Sequence, residues 1–423
     1  MSKAIKIDIF DTTLRDGQQC PGAGMPFEKN IEYAHLARQF GVDILEAGFP
    51  SSSGHEFNTV EAIAKEFSDY ENAPVVTALC QMRAEQFEKT IQALMPAAKK
   101  GKARLHTYIP VDPELMKHSL GEKKSKEKAK IISQVHKHIS EVAAEGIQIQ
   151  FSPEGYSRMG LNFAFTTDLI LAAVDAGATI INCPDTIGGA CRVQGDDYFV
   201  EHMNRHAAIV RKAYPEKQIV WSAHCHNDLG LALDNTINAV LYGPATQIEG
   251  CINGIGERAG NVSLEQCVMY FHQFQKYFDQ SRCYKTGINI EKTQEISNFV
   301  HKHMLPRQPH SPISGCNAAR HTSGGHTNAI IKNPTVYQPY NPEETGNKIT
   351  LLFGPSSGGN HAKTIIEQHG EYCGDHEKAA IAQFIKSWYE DRYKGITDEE
   401  LMNAFFAYRK QESLVTPKTN IQG

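Results

Sequence analysis

Apolar positions along this chain follow two alternating rhythms. Short β-branched runs predict strands at Ile5–Phe10, Asp43–Ala47, Val75–Leu79, Arg104–Ile109, Ile147–Phe151, Thr179–Asn182, Ile219–Ala223 and Gln247–Cys251. Segments of helical period lie between them, at Glu28–Phe40, His55–Phe67, Ala84–Ala98, Ser125–Ala144, Phe163–Asp175, Asp197–Lys212 and Leu231–Leu241, with Leu264–Gln275 closing the series. Gly41, Gly101, Gly146, Gly177 and Gly243 mark helix stops. Eight strand–helix pairs in about 275 residues is the size and rhythm of a closed parallel barrel. An open, doubly wound sheet is the structural competitor. It is disfavoured because no Gly-x-Gly-x-x-Gly follows the first strand and polar residues cluster after nearly every strand. In a barrel those strand ends converge on one mouth.

The rhythm changes after residue 276. Ile290–Met304 reads as a helix, and a polar, Gly/Pro/Asn-rich loop is expected from Pro306 to about Lys348. Its His321, Gly324, Gly325, His326, Lys332 and Tyr337 look chemical more than spacer-like. Two amphipathic helices are expected at Ala380–Tyr393 and Glu399–Arg409, and a frayed end from Pro417 to Asn420. The expected fold is therefore an α/β chain, a (β/α)8 barrel followed by a mainly helical accessory C-terminal region. The expected division is a catalytic barrel at 1–276, an accessory lid at 277–370 and a helical subdomain at 371–423.

Composition narrows the function classes. A formal charge of −5 gives no basic footprint for nucleic acid or an anionic membrane. The longest apolar stretches run only a few residues, too short to span a bilayer. The start runs directly into strand alternation, leaving no room for a signal peptide, and the ten cysteines show no Cys-x-x-Cys or disulfide-like spacing. A reducing cytoplasm is expected.

Four segments carry chemistry. Asp11-Thr12-Thr13-Leu14-Arg15-Asp16-Gly17 follows the first strand, where Asp16 suits a hard divalent cation and Arg15 an oxyanion; an ordinary Asp-Gly turn is the plain alternative. His224-Cys225-His226-Asn227-Asp228 ends the seventh strand, and in extended chain residues i and i+2 face the same way, so both imidazoles point to one side. The Gly-rich run from Gly250 to Asn261 follows the eighth strand and permits close approach of a ligand, phosphate included, with Asn261 able to add an amide oxygen. Phe151-Ser152-Pro153-Glu154 and Asn182-Cys183-Pro184-Asp185-Thr186 place carboxylates and hydroxyls at the mouth, although such residues also serve as helix caps. A mixed Asp/His/His/Asn shell suits Mg²⁺ or Mn²⁺, and imidazole also admits Zn²⁺.

These segments resemble the metal-dependent, Claisen-condensing barrel family that contains 2-isopropylmalate, citramalate and homocitrate synthases, with 3-hydroxy-3-methylglutaryl-CoA lyase as a relative. The resemblance runs to about residue 370, and Leu45-Glu46-Ala47-Gly48-Phe49-Pro50 followed by Ser51-Ser52-Ser53 is similar to the isopropylmalate branch. It implies that Asp16, His224, His226 and Asn261 bind the metal, that Arg15 meets the 2-oxo oxygen, and that Thr186 holds the substrate carboxylate. It places Glu154, as a catalytic group, with His106 and Ser152 in the pocket, while Leu79 and Tyr108 set its shape. It further implies that His326 and Tyr337 form a catalytic pair on a segment reaching a neighbouring subunit's barrel, which requires at least a dimer. The implied reaction joins acetyl-CoA to a 2-oxo acid, 2-oxoisovalerate first, with His326 as base.

The chain departs from the family after Gly188, and at Gly354-Pro355-Ser356-Ser357-Gly358-Gly359. About fifty residues follow the resemblance, so no leucine-binding domain is expected. A retro-aldol acyl-CoA lyase would share Asp16, Arg15 and the histidine pair, but the resemblance offers its cysteine only as Cys251 at the strand end. A metal-dependent hydrolase would carry its His-x-His after the first strand. A non-catalytic 2-oxo acid sensor is the reading from a different class.

Overall fold

The computed structural model describes residues 4–278, 283–390 and 395–415. They fall into two compact units that divide between Arg307 and Gln308. In the first, eight parallel strands close into a barrel: β1 (Asp8–Asp11), β2 (Ile44–Glu46), β3 (Val75–Gln81), β4 (Ala103–Pro110), β5 (Gln148–Glu154), β6 (Ile180–Asp185), β7 (Val220–Cys225) and β8 (Ala245–Gly250). Closure is made by β1 on β8, with Asp8 opposite Gln247 and Asp11 opposite Gly250. The helices of the outer ring are α1 (Phe27–Phe40), α2 (Gly54–Ser68), α3 (Ala84–Ala98), α4 (Lys128–Ala144), α5 (Phe163–Ala176), α6 (Phe199–Ala213), α7 (Ala232–Leu241) and α8 (Leu264–Gln273). They bury one apolar stripe each against the strands, as Val60, Ile63, Ala64 and Phe67 do from α2.

Several strand boundaries differ from expectation. The run Ile5–Phe10 splits: Ile5–Lys6 leaves the barrel to pair with Tyr284–Lys285, and the barrel strand begins at Asp8. Strands β5, β6 and β7 also run two or three residues further than the apolar pattern does, through Glu154, Asp185 and Cys225. Their polar ends keep pairing in register, Pro184 opposite His224 and Pro110 opposite Glu154. Residues expected just beyond the strands are thus held within them, which fixes where their side chains point. Helix α9 (Thr293–His303) completes this unit, with Phe299 set 6.0 Å from the Tyr33 ring of α1.

The second unit has its own core of Phe353, Ile365, Ile366, Ile381, Ile385, Leu401 and Phe405. The stretch expected to be a loop contains a parallel pairing of Arg320–His321 with Thr350–Leu351 and the helix α10 (Gly324–Lys332). Its Gly-Gly start hides the helix from a propensity reading, while Thr327 and Ile330 supply the buried face. Helix α11 (Gly359–Gln368) is likewise absent from the sequence expectation. The two expected helices are present as α12 (Lys378–Trp388) and α13 (Asp398–Val415). The expected end at Tyr393 and the expected frayed stretch Pro417–Asn420 lie outside the described residues.

A buried histidine makes this fold acid-sensitive. His206 of α6 stacks on Phe163 at 4.4 Å, with Nδ1 2.7 Å from Tyr156 Oη and Nε2 3.0 Å from Thr167 Oγ1. Burial first, then His202, lowers its pKa from 6.5 to about 3. Between those values the unfolded chain takes a proton that the folded chain refuses, so stability falls as pH drops below 6.5. The expected loss is about 2 kcal/mol at pH ~5, read from urea midpoints, and His206→Gln flattens that slope.

Candidate active site

The C-terminal ends of the barrel strands converge on one cleft, as the parallel topology requires. Asp16 sits in the turn after β1, while His224 belongs to β7 and His226 lies just past its end. Their Nε2 atoms stand 3.6 and 3.9 Å from Asp16 Oδ2, and the rings lie 5.0 Å apart at 84°. All three side chains are buried. Asn261 arrives from the glycine-rich loop after β8, bridged to His226 through its backbone. Its Nδ2 donates to Asp16 Oδ1 (2.8 Å) and to Ile255 O (3.1 Å), which leaves Oδ1 buried with no hydrogen-bond partner. A side chain at Gly256 (φ 152°) would strike that amide, with its Cβ only 2.2 Å from Asn261 Nδ2, so the loop approaches this closely only as glycine.

The donor set fits a divalent cation. One carboxylate and two imidazoles offer ligand atoms within 4.8 Å of one another, and Asn261 Oδ1 adds an unsatisfied hard oxygen. Burial would raise Asp16, but Arg15 and the two imidazoles hold its pKa well below the usual carboxylate range. Burial, then neighbouring His224, lowers His226 to about 4, which keeps an imidazole lone pair free for a metal. A second trio, Glu46, His106 and Glu249, is also tight enough for an ion. There the cation is Arg15 itself: Nε donates to Glu46 Oε2 at 2.7 Å, Nη1 to Asp16 Oδ2 at 2.7 Å, and Nη2 to Glu249 Oε1 at 3.4 Å. Against the cost of burial, these carboxylates raise Arg15, and Arg15 with His106 lowers Glu46 to about 2. The guanidinium is locked in charge and orientation beside the candidate metal-binding residues.

The rest of the cleft follows outward. His106 Nδ1 lies 2.6 Å from Glu46 Oε1 and its Nε2 lies 2.7 Å from Ser152 Oγ, which also accepts from Asn182 Nδ2 at 3.0 Å. Thr186 Oγ1 accepts from the Gly155 amide at 2.9 Å. Burial raises Glu154, with Arg15 opposing and Asp112 adding to the rise. Leu79 and Tyr108 complete the wall, and burial raises the Tyr108 phenol. Of the sequence-derived candidates, Arg15, Asp16, Leu79, His106, Tyr108, Ser152, Glu154, Thr186, His224 and His226 line this one cleft, with Asn261 behind Asp16. His326 and Tyr337 belong to the second unit, where their rings stack at 3.9 Å and 22°, both residues exposed.

Sequence reasoning missed Glu46 and Glu249 as partners of Arg15, and the polar layer beneath them. Arg104 donates to Gln247 Oε1 (2.7 Å), and Gln150 Nε2 donates to Glu249 Oε2 (2.8 Å), all inside the barrel. The signal was the alternation itself: Gln148-x-Gln150-x-Ser152 and Gln247-x-Glu249 place polar groups at every second strand position, on the interior side. Cys251 is fully buried, and burial followed by Asp16 pushes its thiol well above the ordinary range, so it offers no ready thiolate.

A closed parallel barrel with this constellation at its mouth is an HMGL-like barrel, and residues 6–300 match the HMGL-like family. Residues 313–393 match the homocitrate synthase post-HMGL domain-like family. Within that class the chain belongs to the 2-isopropylmalate synthase family. It is 35% identical over 399 residues to 2-isopropylmalate synthase of Staphylococcus saprophyticus, spanning 93% of this chain and 73% of that protein. It is 34% identical over 401 residues to the Saccharolobus solfataricus enzyme of that name, spanning 94% and 95%. Among solved structures, the HMG-CoA lyase of Brucella melitensis shares the fold, with a TM-score of 0.54 at 16% identity over 71% of this chain and 99% of that one.

Proposed function

We propose that this chain condenses acetyl-CoA with 2-oxoisovalerate, giving 2-isopropylmalate and free CoA, the step that commits carbon to leucine. The observation that carries the reading is the Asp16–His224–His226 trio with the Arg15 guanidinium fixed beside it. Family membership supports the choice of acceptor. Asp16, His224, His226 and Asn261 would hold Mg²⁺ or Mn²⁺, which when bound supplies Lewis acidity toward a 2-oxo acid.

The chain's own groups perform the remaining work. Thr186 binds the acceptor's carboxylate, and Arg15 faces the carbonyl oxygen that gains charge as the new carbon–carbon bond forms. A methyl proton of acetyl-CoA passes to His326, stacked on Tyr337 in an accessory unit that serves a neighbouring subunit of a homodimer or larger assembly. Glu154, raised by burial, is suited to hand a proton to the oxygen beside Arg15. Water then cleaves the thioester and releases the CoA thiol. Among the described residues no helix is long and apolar enough to cross a membrane. The ten cysteines are free thiols, which suits a reducing cytoplasmic setting.

The test is release of CoA thiol from acetyl-CoA with Mn²⁺, across 2-oxoisovalerate, pyruvate, 2-oxoglutarate and no acceptor. Release is expected with 2-oxoisovalerate, lost on chelation and restored by Mn²⁺. A different preferred acceptor keeps the mechanism and moves the chain to a citramalate- or homocitrate-type activity, and no release with any acceptor removes the synthase reading.

A further inference from the structure

We infer that Arg258 is a positioning residue that cross-ties the three loops carrying Thr186, His226 and Asn261, and so sets the carboxylate site of the 2-oxo acid; this rests on the function proposed above. The arginine lies between Gly256 and Asn261 on the loop after β8, and the metal and substrate roles assigned above leave its guanidinium unused. Its Nε and Nη2 grip Asp228 Oδ1 and Oδ2, each at 2.9 Å, two residues beyond His226. The same Nη2 donates to the carbonyl oxygen of Thr186 at 2.7 Å. Asn261 follows three residues further along Arg258's own loop. One guanidinium therefore touches the loops after β6, β7 and β8, each within three residues of a group assigned to metal or substrate.

One feature shows that the loops after β6 and β7 are drawn together, and a second marks strain at Arg258 itself. Gly188 (φ 60°) has no room for a side chain, since a Cβ would lie 2.6 Å from the Asp228 amide and 2.9 Å from the His226 carbonyl oxygen. Arg258 itself has φ 57°, a conformation glycine adopts freely and other residues rarely do. A strained backbone at the mouth of a cleft persists only where surrounding contacts over-determine it, and the forked pairing supplies them.

The donor inventory separates positioning from direct binding. Arg258 commits Nε and Nη2 to Asp228 and the Thr186 carbonyl, and its Nη1 faces Glu257 Oε2 at 3.7 Å, so its guanidinium is spent on the protein. What Arg258 contributes is the placement of Thr186. The Gly155 amide occupies Thr186 Oγ1 as acceptor, and Arg258 anchors the Thr186 carbonyl, so the hydroxyl proton is left to donate to a substrate carboxylate.

Arg258→Gly relieves the backbone while removing the tie, so it tests the idea without burdening the fold. The expected result is a rise of about tenfold or more in KM for 2-oxoisovalerate, with kcat and the KM for acetyl-CoA within about threefold of wild type. The melting temperature stays within about 2 °C, and Arg258→Lys does not rescue, because an ammonium cannot fork to a carboxylate and a carbonyl together. Should Arg258→Gly melt early, Asp228→Asn, which leaves the backbone at 258 alone, must raise the same KM. An unchanged KM in an otherwise active enzyme overturns the inference and spares the proposed function. A wild-type protein inactive on every 2-oxo acid overturns both.

Discussion

His226→Ala is expected to abolish turnover and weaken Mn²⁺ binding together, by at least about a hundredfold in affinity. The size follows from the site. Outer-shell partners of metal-bound histidines cost up to about a hundredfold when removed, and His226 is assigned to the inner shell. The fold itself loses little, because Nδ1 of His226 has no hydrogen-bond partner and Nε2 stands 3.9 Å from Asp16. The metal-free variant therefore melts with the metal-free wild type, while calorimetric Mn²⁺ titration separates them. Full activity of His226→Ala in Mn²⁺-replete buffer would sink the ligand assignment.

Arg15→Ala is expected to damage both chemistry and stability. Three buried carboxylates, Asp16, Glu46 and Glu249, lose the cation they share. Leaving a buried charge unpaired costs about 3–5 kcal/mol, read as a fall in the urea midpoint. Loss of a donor aimed at the developing oxyanion lowers kcat by a further factor of about 10²–10³. The pH dependence identifies the cause. In the wild type Glu46, lowered to about 2, contributes stability that is present above 4.5 and lost as pH falls through 2. Without Arg15 the stranded carboxylates take protons more readily folded than unfolded, so the stability gap to wild type narrows from pH ~8 to pH ~5. A gap independent of pH would mean that lost packing, rather than lost charge, explains the damage.

How much of this was legible in the sequence depends on whether the signal is local. Eight apolar runs with helices between them are local, and the closed barrel followed from counting them. The shared side of His224 and His226 is also local, because strand geometry alone dictates it. Glu46 and Glu249 were hidden because their partner Arg15 is 31 and 234 residues away in the chain, and no local pattern links them. The interior run of Arg104, Gln150 and Gln247 contradicts the usual apolar filling of a barrel, so an apolar-run reading passes over it. In the second unit, α10 starts on Gly324-Gly325 and reads as a loop until its packing is seen. The stacking of His326 on Tyr337 depends on the turn between them, which spacing does not determine.

Closure of the ring between Asp8–Asp11 and Ala245–Gly250 has a consequence for how the molecule is made. During synthesis the first strand has one edge unpaired until the eighth has been made. Asp16 is an early product; His224, His226 and Asn261 are late ones, and they meet only when the ring shuts. On the proposed assignment of all four as ligands, a cation has nothing to bind beforehand. Mg²⁺ or Mn²⁺ would then draw the finished barrel out of its equilibrium with open forms by mass action. Metal scarcity would thus be felt as a shortage of folded protein as well as a shortage of loaded sites.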